Sequence, residues 1–411
     1  MVPKEQINPM NTCHFDDADA VVAALQPSYP IFCLRPTELR AAAERFLEYF
    51  PGRVLYAVKC NPHSLVLKTL FDAGIHHFDA ASLAETSLVK EMDASAASYF
   101  MHPIKLRAEI AATYENYGVR CFVIDHVDEL KKIQQETKDG QGLAVLVRFA
   151  TPGGVARYEL SRKFGATTED ACTLLRAVHD AGFEPGLAFH VGSQCHSPDA
   201  FLSALRLTGS IIGRAGVELR YLDVGGGFPT PYLNDDPPPL SEYFQAIKIG
   251  IEEIGLPKQC TIMCEPGRAL VAAACSLIVQ VLLRKGDALY INDGVYHSFA
   301  ESVTGGLKPP VRLIRPGRLG TEETTEFTVY GPTCDNTDCL PYRLPIPVDV
   351  REGDWLEFGQ MGAYSYAMAS QFNGFHPGTF VTVDAPPFLP ESALSVAVPT
   401  VEPGRSKTSV V

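Results

Sequence analysis

The sequence has no surplus of positive charge. Thirty-five Lys and Arg stand against 48 Asp and Glu, a net charge of −13 over 411 residues. A nucleic-acid binder or a protein docking on anionic lipid needs the reverse balance, because Lys and Arg make the phosphate contacts. Neither partner is expected. No apolar run reaches the ~18–20 residues that cross a bilayer, so no membrane span is expected either. The opening MVPKEQINPMNTCHFDD is polar and acidic, unlike the basic-then-apolar pattern of an export signal. CxxC pairs are missing too. The eleven cysteines are odd in number and most sit inside apolar runs, as Cys33, Cys60, Cys121 and Cys264 do. Neither Cys260 with Cys264 nor Cys334 with Cys339 has the partner pairs of a zinc site. Reduced thiols, a cytoplasmic location and no metal follow as expectations. At 20% charged and 46% hydrophobic the composition excludes wholesale disorder. The length suits two or three domains of ~100–200 residues and a large core without staples.

What is present is a regular beat of short β-rich runs and helical stretches. The runs are VLYAVK (54–59), HHFDAA (76–81), SYFMHP (98–103), CFVIDH (121–126), LAVLVRF (143–149), GLAFHVG (186–192), YLDVGGG (221–227) and TIMCEPG (261–267). Segments with apolar residues at helical spacing lie between them, as in LRAEIAATYENYG and EDACTLLRAVHDAG, and glycine closes several, at Gly74, Gly118, Gly182 and Gly255. Eight strands each followed by a helix predict a (β/α)8 barrel over 27–275, with an insertion at 151–165. After Leu270 the runs turn short and alternating between Gly, Pro and Asp turns, which predicts an all-β sandwich or barrel domain from 1–26 and 276–385. Residues 386–411 carry no periodicity and read as a loose tail.

In such barrels catalytic groups project from the C-terminal ends of the strands. Those ends carry Lys59, Asp79, His102, Arg148, His190, Gly225 to Gly227, and Glu265 with Arg268. Chance places one polar residue there, but hardly so many. Each also has a plain reading. Lys59 is either a snorkelling surface lysine or, if partly buried, a Schiff-base nucleophile for a carbonyl group such as that of a substrate or pyridoxal phosphate. The Gly225–Gly226–Gly227 run after the seventh strand lets backbone N–H groups approach an anion, and the loops after strands seven and eight are this fold's habitual phosphate site. Arg268 is a bidentate phosphate clamp or half of a surface pair with Glu265. Glu265 can also pair with a pyridine nitrogen. His190 is a core residue, a metal ligand with His196, or a stacking face for a flat ring. Ser193 donates to phosphate or caps a turn. In the second domain GPTCDNTD (331–338) sets Cys334 beside Asp335, either a thiol acid or nucleophile with a cation ligand, or an Asx turn. GAYSYAMASQFNGF (362–375) offers Tyr364 and Phe372 as core or as site wall.

The strings YAVKCNP, FDAAS, HVGSQ, DVGGGFP, EPGR, NDGVY, GPTCDNTD and GAYSYAMASQFNGF occur in the order found in the fold-type III pyridoxal-phosphate decarboxylases, and the chain resembles that family over about 50 to 380. The CDNTD and FNGF forms are similar to the ornithine/lysine branch rather than the diaminopimelate branch. The resemblance implies an alanine-racemase-like barrel with pyridoxal 5'-phosphate as cofactor and a homodimer with shared active sites. Lys59 would carry the cofactor and Glu265 would face its ring nitrogen. His190 would stack on the ring, while Asp79 and Arg148 order the lysine. Ser193, Gly225, Gly226, Gly227, Gly267, Arg268 and Tyr364 would hold the phosphate. Cys334 of the partner subunit would return a proton after CO2 leaves, and Asp335 of the partner subunit would bind a distal ammonium. Tyr296, Glu301 and Phe372 would complete the substrate pocket.

The implied reaction is decarboxylation of a basic L-amino acid, ornithine (yielding putrescine for polyamine synthesis) or lysine foremost. One departure qualifies the substrate. By ungapped count Gly305 stands where the ornithine enzymes carry a second aspartate, and Glu301 is the nearest compensating carboxylate. Arginine, diaminopimelate or another amino acid with an altered distal group is the alternative. Racemization is disfavoured by glutamate rather than arginine at the ring nitrogen. An inactive regulatory relative is disfavoured by the retained Lys59, Arg268 and Cys334.

Overall fold

The computed structural model describes residues 12–390 except 139, 141, 155 and 318–320. Eight parallel strands close a barrel in the order Arg53–Ala57, His77–Ala80, Ala97–Phe100, Cys121–Ile124, Ala144–Arg148, Glu184–Ala188, Tyr221–Asp223 and Thr261–Cys264, the last pairing back onto the first. Seven expected runs thus become strands flanked by long helices, from Ser64–Asp72 to Leu240–Ile254, and Pro36–Tyr49 precedes the first. The eighth is followed only by the short helix Arg268–Val271.

Local chemistry sets these boundaries. Ser82 Oγ accepts from Glu85 N (3.2 Å) while Glu85 reaches back to Ala81 N (2.6 Å), a near capping box that starts helix Leu83–Met92. Gly118, Gly216 and Gly255 end three helices in the left-handed conformation. Along the strands every second residue faces the lumen. Leu55, Tyr99, Cys121, Val123, Ala144, Leu146, Ala188 and Met263 form that inner core, while their neighbours, such as Tyr56, Phe122 and Leu187, pack outward into the larger cluster under the helices.

The second unit is a nine-stranded sheet. Its path runs His14–Phe15, Thr379–Val383, Ile31–Leu34, Cys275–Lys285, Ala288–Ile291, Thr324–Tyr330 and Leu344–Pro347, with Val311–Ile314 and Trp355–Phe358 joined at its side. Strand Ile31–Leu34 lies within the 27–275 span expected for the barrel, yet it pairs with Cys275–Lys285 and Thr379–Val383. All four of its residues are buried, so its run IFCL has no alternation to mark which sheet it joins. Glu357, 1% exposed, ties the unit together. It accepts from Arg35 Nη2 (3.1 Å), Ser276 Oγ (2.6 Å) and Arg312 Nε (2.7 Å). The stretch expected to be loose from residue 386 is held at its start, where Arg35 Nε donates to the carbonyls of Ala385 and Pro386. Residues 391–411 of that expected tail lie outside the described residues.

Candidate active site

The site follows from extending the lumen rows by one step. Past Leu55 and Ala57 comes Lys59; past Leu146 comes Arg148; past Ala188, His190; past Met263, Glu265; and Asp79 and Asp223 end their own rows. Registers Ala57↔Asp79, Arg148↔Ala188 and Asp223↔Met263 set these ends at one rim. Lys59 itself leaves the strand, which stops at Ala57, and sits in the 3-10 turn Val58–Cys60. That turn swings its Nζ to 2.5 Å from Asp79 Oδ2.

Charge is concentrated here. The Lys59 side chain is 42% exposed at the open rim; partial desolvation pulls its ammonium down, but the carboxylates of Asp79 and Glu265 outweigh it and hold the ammonium above its ordinary range. Burial drives the Asp223 carboxyl up to about 7. It drives Glu265 well above the usual carboxylate range, with Asp223 and Asp79 adding repulsion. Burial also lowers His190 far below its usual value, helped by Arg148 and Lys59. That ring is therefore neutral. Its Nδ1 accepts from Gly192 N at 3.0 Å, leaving the proton on Nε2. His196 pairs with Asp235 Oδ1 (2.8 Å), which engages it apart from any joint metal site with His190. His102 is directed elsewhere, onto Ile104 O (2.6 Å) and the Phe164 ring.

Beside this cluster is a cradle. A Cβ on Gly226 would lie 2.6 Å from Glu265 O and 3.0 Å from His190 Nε2, so only glycine brings the backbone this close to both. Gly225 adopts φ +70° while its N–H donates to Asp223 Oδ1 (2.8 Å). Gly267 packs against Cys60. Ser193 Oγ is 3.4 Å from Arg268 Nη2, and the Tyr364 ring lies 5.1 Å from the guanidinium carbon. Tyr364 is itself at φ +55°, its N–H bonded to Cys60 O (2.9 Å), so the loop after the sheet is latched to the lysine turn. Three buried polar atoms here have no partner among the described residues: Asp79 Oδ1, Asp223 Oδ2 and Arg268 Nε. An acceptor pair beside a donor suits a ligand that is cationic at one end and anionic at the other. A pyridinium ring bearing a phosphate has that form, so the residues fit pyridoxal phosphate.

The remaining expected residues form a separate group. Asp335 accepts from Tyr296 OH (2.9 Å) and from Thr337 N and Oγ1 (both 2.8 Å). Cys334 N and Sγ reach Asn373 Oδ1, and Phe372 lies 4.9 Å from Tyr296. Asp338 fixes this loop through Val295 N (2.9 Å) and Thr333 N (3.0 Å). These hydrogen bonds stay within the group and do not reach Lys59. Glu301 stands apart from the substrate role expected for it, since both its oxygens lie on Arg268, at 2.6 and 2.7 Å.

Two residues of the site went unread in the sequence. Asp223 opens the DVGGG run at a strand end, and the same rim count that selects Asp79 selects it. Tyr158, from strand Ala156–Tyr158, presses its hydroxyl against Gly305. Nothing local in the sequence signals that contact.

Known proteins of this shape and sequence agree in kind. Residues 37–272 match the family model described as pyridoxal-dependent decarboxylase, pyridoxal binding domain. The chain is 32% identical to decarboxylase flvG of Aspergillus flavus over 81% of this chain and 80% of that one. It is 32% identical to the lysine/ornithine decarboxylase of Selenomonas ruminantium over 82% and 84%. The crystal structure of the Paramecium bursaria Chlorella virus arginine decarboxylase bound to agmatine superposes with a TM-score of 0.80 at 25% identity, covering 88% of this chain and 98% of that chain. With the match over more than half of its length and relatives at this identity, the chain belongs to the pyridoxal-phosphate-dependent decarboxylases of the ornithine decarboxylase family.

Proposed function

We propose that the protein decarboxylates a basic L-amino acid, ornithine or lysine foremost, at a site completed by a second copy of the chain. The observation that carries this is the Lys59–Asp79 contact facing Glu265 across the rim, with the glycine cradle alongside. Bound pyridoxal phosphate supplies the electron sink for the pair left when the bond from Cα to the carboxylate breaks and CO2 departs. Lys59 would hold the cofactor. Glu265 would keep a proton at the ring nitrogen, where a positive ring draws electrons best. Neutral His190 would pack against the ring. Ser193, Gly225 to Gly227, Gly267, Arg268 and Tyr364 would hold the phosphate.

Cys334 Sγ of the partner subunit gives Cα its proton, and Asp335 of the partner subunit receives the distal ammonium. The support is positional. Cys334 is exposed on this chain and reaches Asn373, which lies in a segment that also exposes the apolar side chains of Met368, Phe372 and Phe375. An exposed thiol bonded to a segment with open apolar side chains suits a face covered on assembly. All eleven cysteines are free, which supports a reducing, cytoplasmic location. No helix of the described residues is long and apolar enough to cross a membrane.

The test is a product screen. Purified protein with pyridoxal phosphate is given L-ornithine, L-lysine, L-arginine, meso-diaminopimelate and the D-isomers, with Lys59→Ala as control. Putrescine or cadaverine from wild type alone is expected. Inversion without CO2 loss, or no turnover of any substrate, refutes the reading.

A further inference from the structure

We infer that Glu301 is a positioning residue for the cofactor's phosphate. It grips one end of the Arg268 guanidinium so that the other edge, Nε and Nη2, is turned to the cradle. This rests on the reading above that Arg268 belongs to the phosphate site.

A guanidinium has an end fork, Nη1 with Nη2, and a side fork, Nε with Nη2. In the two other bidentate arginine–carboxylate pairs among the described residues, the carboxylate takes the side fork. Glu253 lies on Arg206 Nε and Nη2 at 2.8 and 2.9 Å, and Asp354 on Arg315 Nε and Nη2 at 2.9 and 2.5 Å. Glu301 instead takes the end fork of Arg268, at 2.6 Å from Nη1 and 2.7 Å from Nη2. Nη1 spends its second hydrogen on Tyr232 OH at 3.0 Å. What remains is the side fork alone. Its Nε–H is buried with no partner, and its Nη2 reaches Ser193 Oγ only at 3.4 Å.

A buried N–H without an acceptor costs stability. Here the unpartnered Nε lies beside Nη2, whose second hydrogen makes only the long contact to the serine that begins strand Ser193–Cys195. A tetrahedral oxyanion accepts that edge with two oxygens. Arg268 cannot readily turn another edge outward, because the Tyr364, Tyr158 and Tyr232 rings lie within 5.1 to 5.9 Å of its guanidinium carbon. The pair is shielded as well, its side chains 2% and 13% exposed. A carboxylate so engaged is withdrawn from the substrate. Asp335 is then left to meet a distal ammonium without help from Glu301.

The experiment compares wild type with Glu301→Asp and Glu301→Gln. Aspartate keeps the charge but is one methylene too short to span both Nη atoms; glutamine keeps the reach but loses the charge. Apoprotein is titrated with pyridoxal phosphate and, separately, with pyridoxal, which lacks the phosphate, and the lysine-bound chromophore is followed by visible absorbance. Both variants should bind pyridoxal phosphate on the order of tenfold more weakly, the scale at which residues that orient a ligand group act, with pyridoxal affinity unchanged. Equal losses for both ligands, or none for either, overturn the inference. A crystal structure of the wild-type holoprotein decides it without any variant. Glu301 still on the end fork with phosphate on Nε and Nη2 supports it; Glu301 swung off Arg268 refutes it. Failure of wild type to form any chromophore would sink the cofactor reading instead.

Discussion

Gly305 and Tyr158 make a testable pair. By ungapped count position 305 is where the resemblance to the ornithine enzymes implies a second aspartate, so Gly305→Asp is the obvious way to introduce it. The structure predicts that this substitution alone is destabilising. A Cβ at 305 would stand 2.0 Å from the Tyr158 hydroxyl and 2.4 Å from Cζ, whereas ordinary contact begins at 3.4 Å. The ring must therefore retreat by 3.4 − 2.0 = 1.4 Å. It is poorly free to do so, because Tyr158 is paired with Ser193 across a two-stranded ribbon and its hydroxyl lies 3.3 Å from Thr304 Oγ1. Overpacking of this kind costs about 1–3 kcal/mol. Removing the ring with Tyr158→Ala frees the space, so the double variant should recover much of that loss, a coupling of about 1–2 kcal/mol. Burial first, then the Glu301 carboxylate, pushes the Tyr158 phenol up to about 12, so the wild-type wall is uncharged at neutral pH. On the proposed reading of a basic substrate, the double variant offers a carboxylate to the distal ammonium. A charged hydrogen bond is worth about 1.5–3 kcal/mol, or roughly 10–100-fold in kcat/KM. The assay is thermal unfolding of the four holoproteins together with kcat/KM for ornithine and lysine. Strict additivity in stability, with Gly305→Asp costing as much in the Tyr158→Ala background as in wild type, would refute the steric reasoning.

Two further outcomes follow from buried carboxylates. Asp223 titrates in the folded apoprotein at about 7 against an ordinary 3.8, so the folded state holds that proton more tightly than the unfolded chain does. Its contribution to stability is present below the ordinary value and is lost as pH rises through about 4 to 7. Asp223→Asn apoprotein should lose less melting temperature than wild type between about pH 5 and about pH 7.5, and an identical pH slope would contradict the assignment. In the sheet unit, Glu357→Ala strands Arg35, itself 3% exposed, and should cost about 3–5 kcal/mol. The only tryptophan of the chain, Trp355, shares the strand with Glu357, so its fluorescence during urea unfolding reports the loss directly. An unchanged midpoint would mean that Arg312 and Ser276 hold the network without it.

Much of the site was legible because each barrel strand is a short continuous apolar run with a polar residue at its C-terminal end. Lys59, Arg148, His190 and Glu265 end or follow such runs, Asp79 lies near the end of one, and the glycine run marks the cradle. The missing parts are contacts between distant segments. Arg268 and Glu301 are 33 residues apart, and Tyr158 meets a glycine in the second unit. No local pattern encodes such a meeting, so Glu301 read as a substrate ligand when its carboxylate is spent on an arginine. Ile31–Leu34 is ambiguous in the sequence for the opposite reason. A run buried on both faces reads alike in either sheet.

That strand has a consequence for how the molecule is made. Ile31–Leu34 is flanked by Cys275–Lys285 on one side and Thr379–Val383 on the other, and Arg35 N donates to Ala274 O at 2.8 Å. The whole barrel is thus a loop inserted between two neighbouring strands of one sheet, its two ends leaving side by side where Arg35 N meets Ala274 O. On the ribosome the barrel can close as soon as Cys264 has emerged. The apolar strand that came before it must wait for residues 275 and 379, more than two hundred residues later, before its edges are covered. Late pairing over such a span is slow and prone to aggregation. The exposure interval of IFCL, rather than the assembly of the catalytic rim, is then the step at which synthesis of this protein is most open to chaperones.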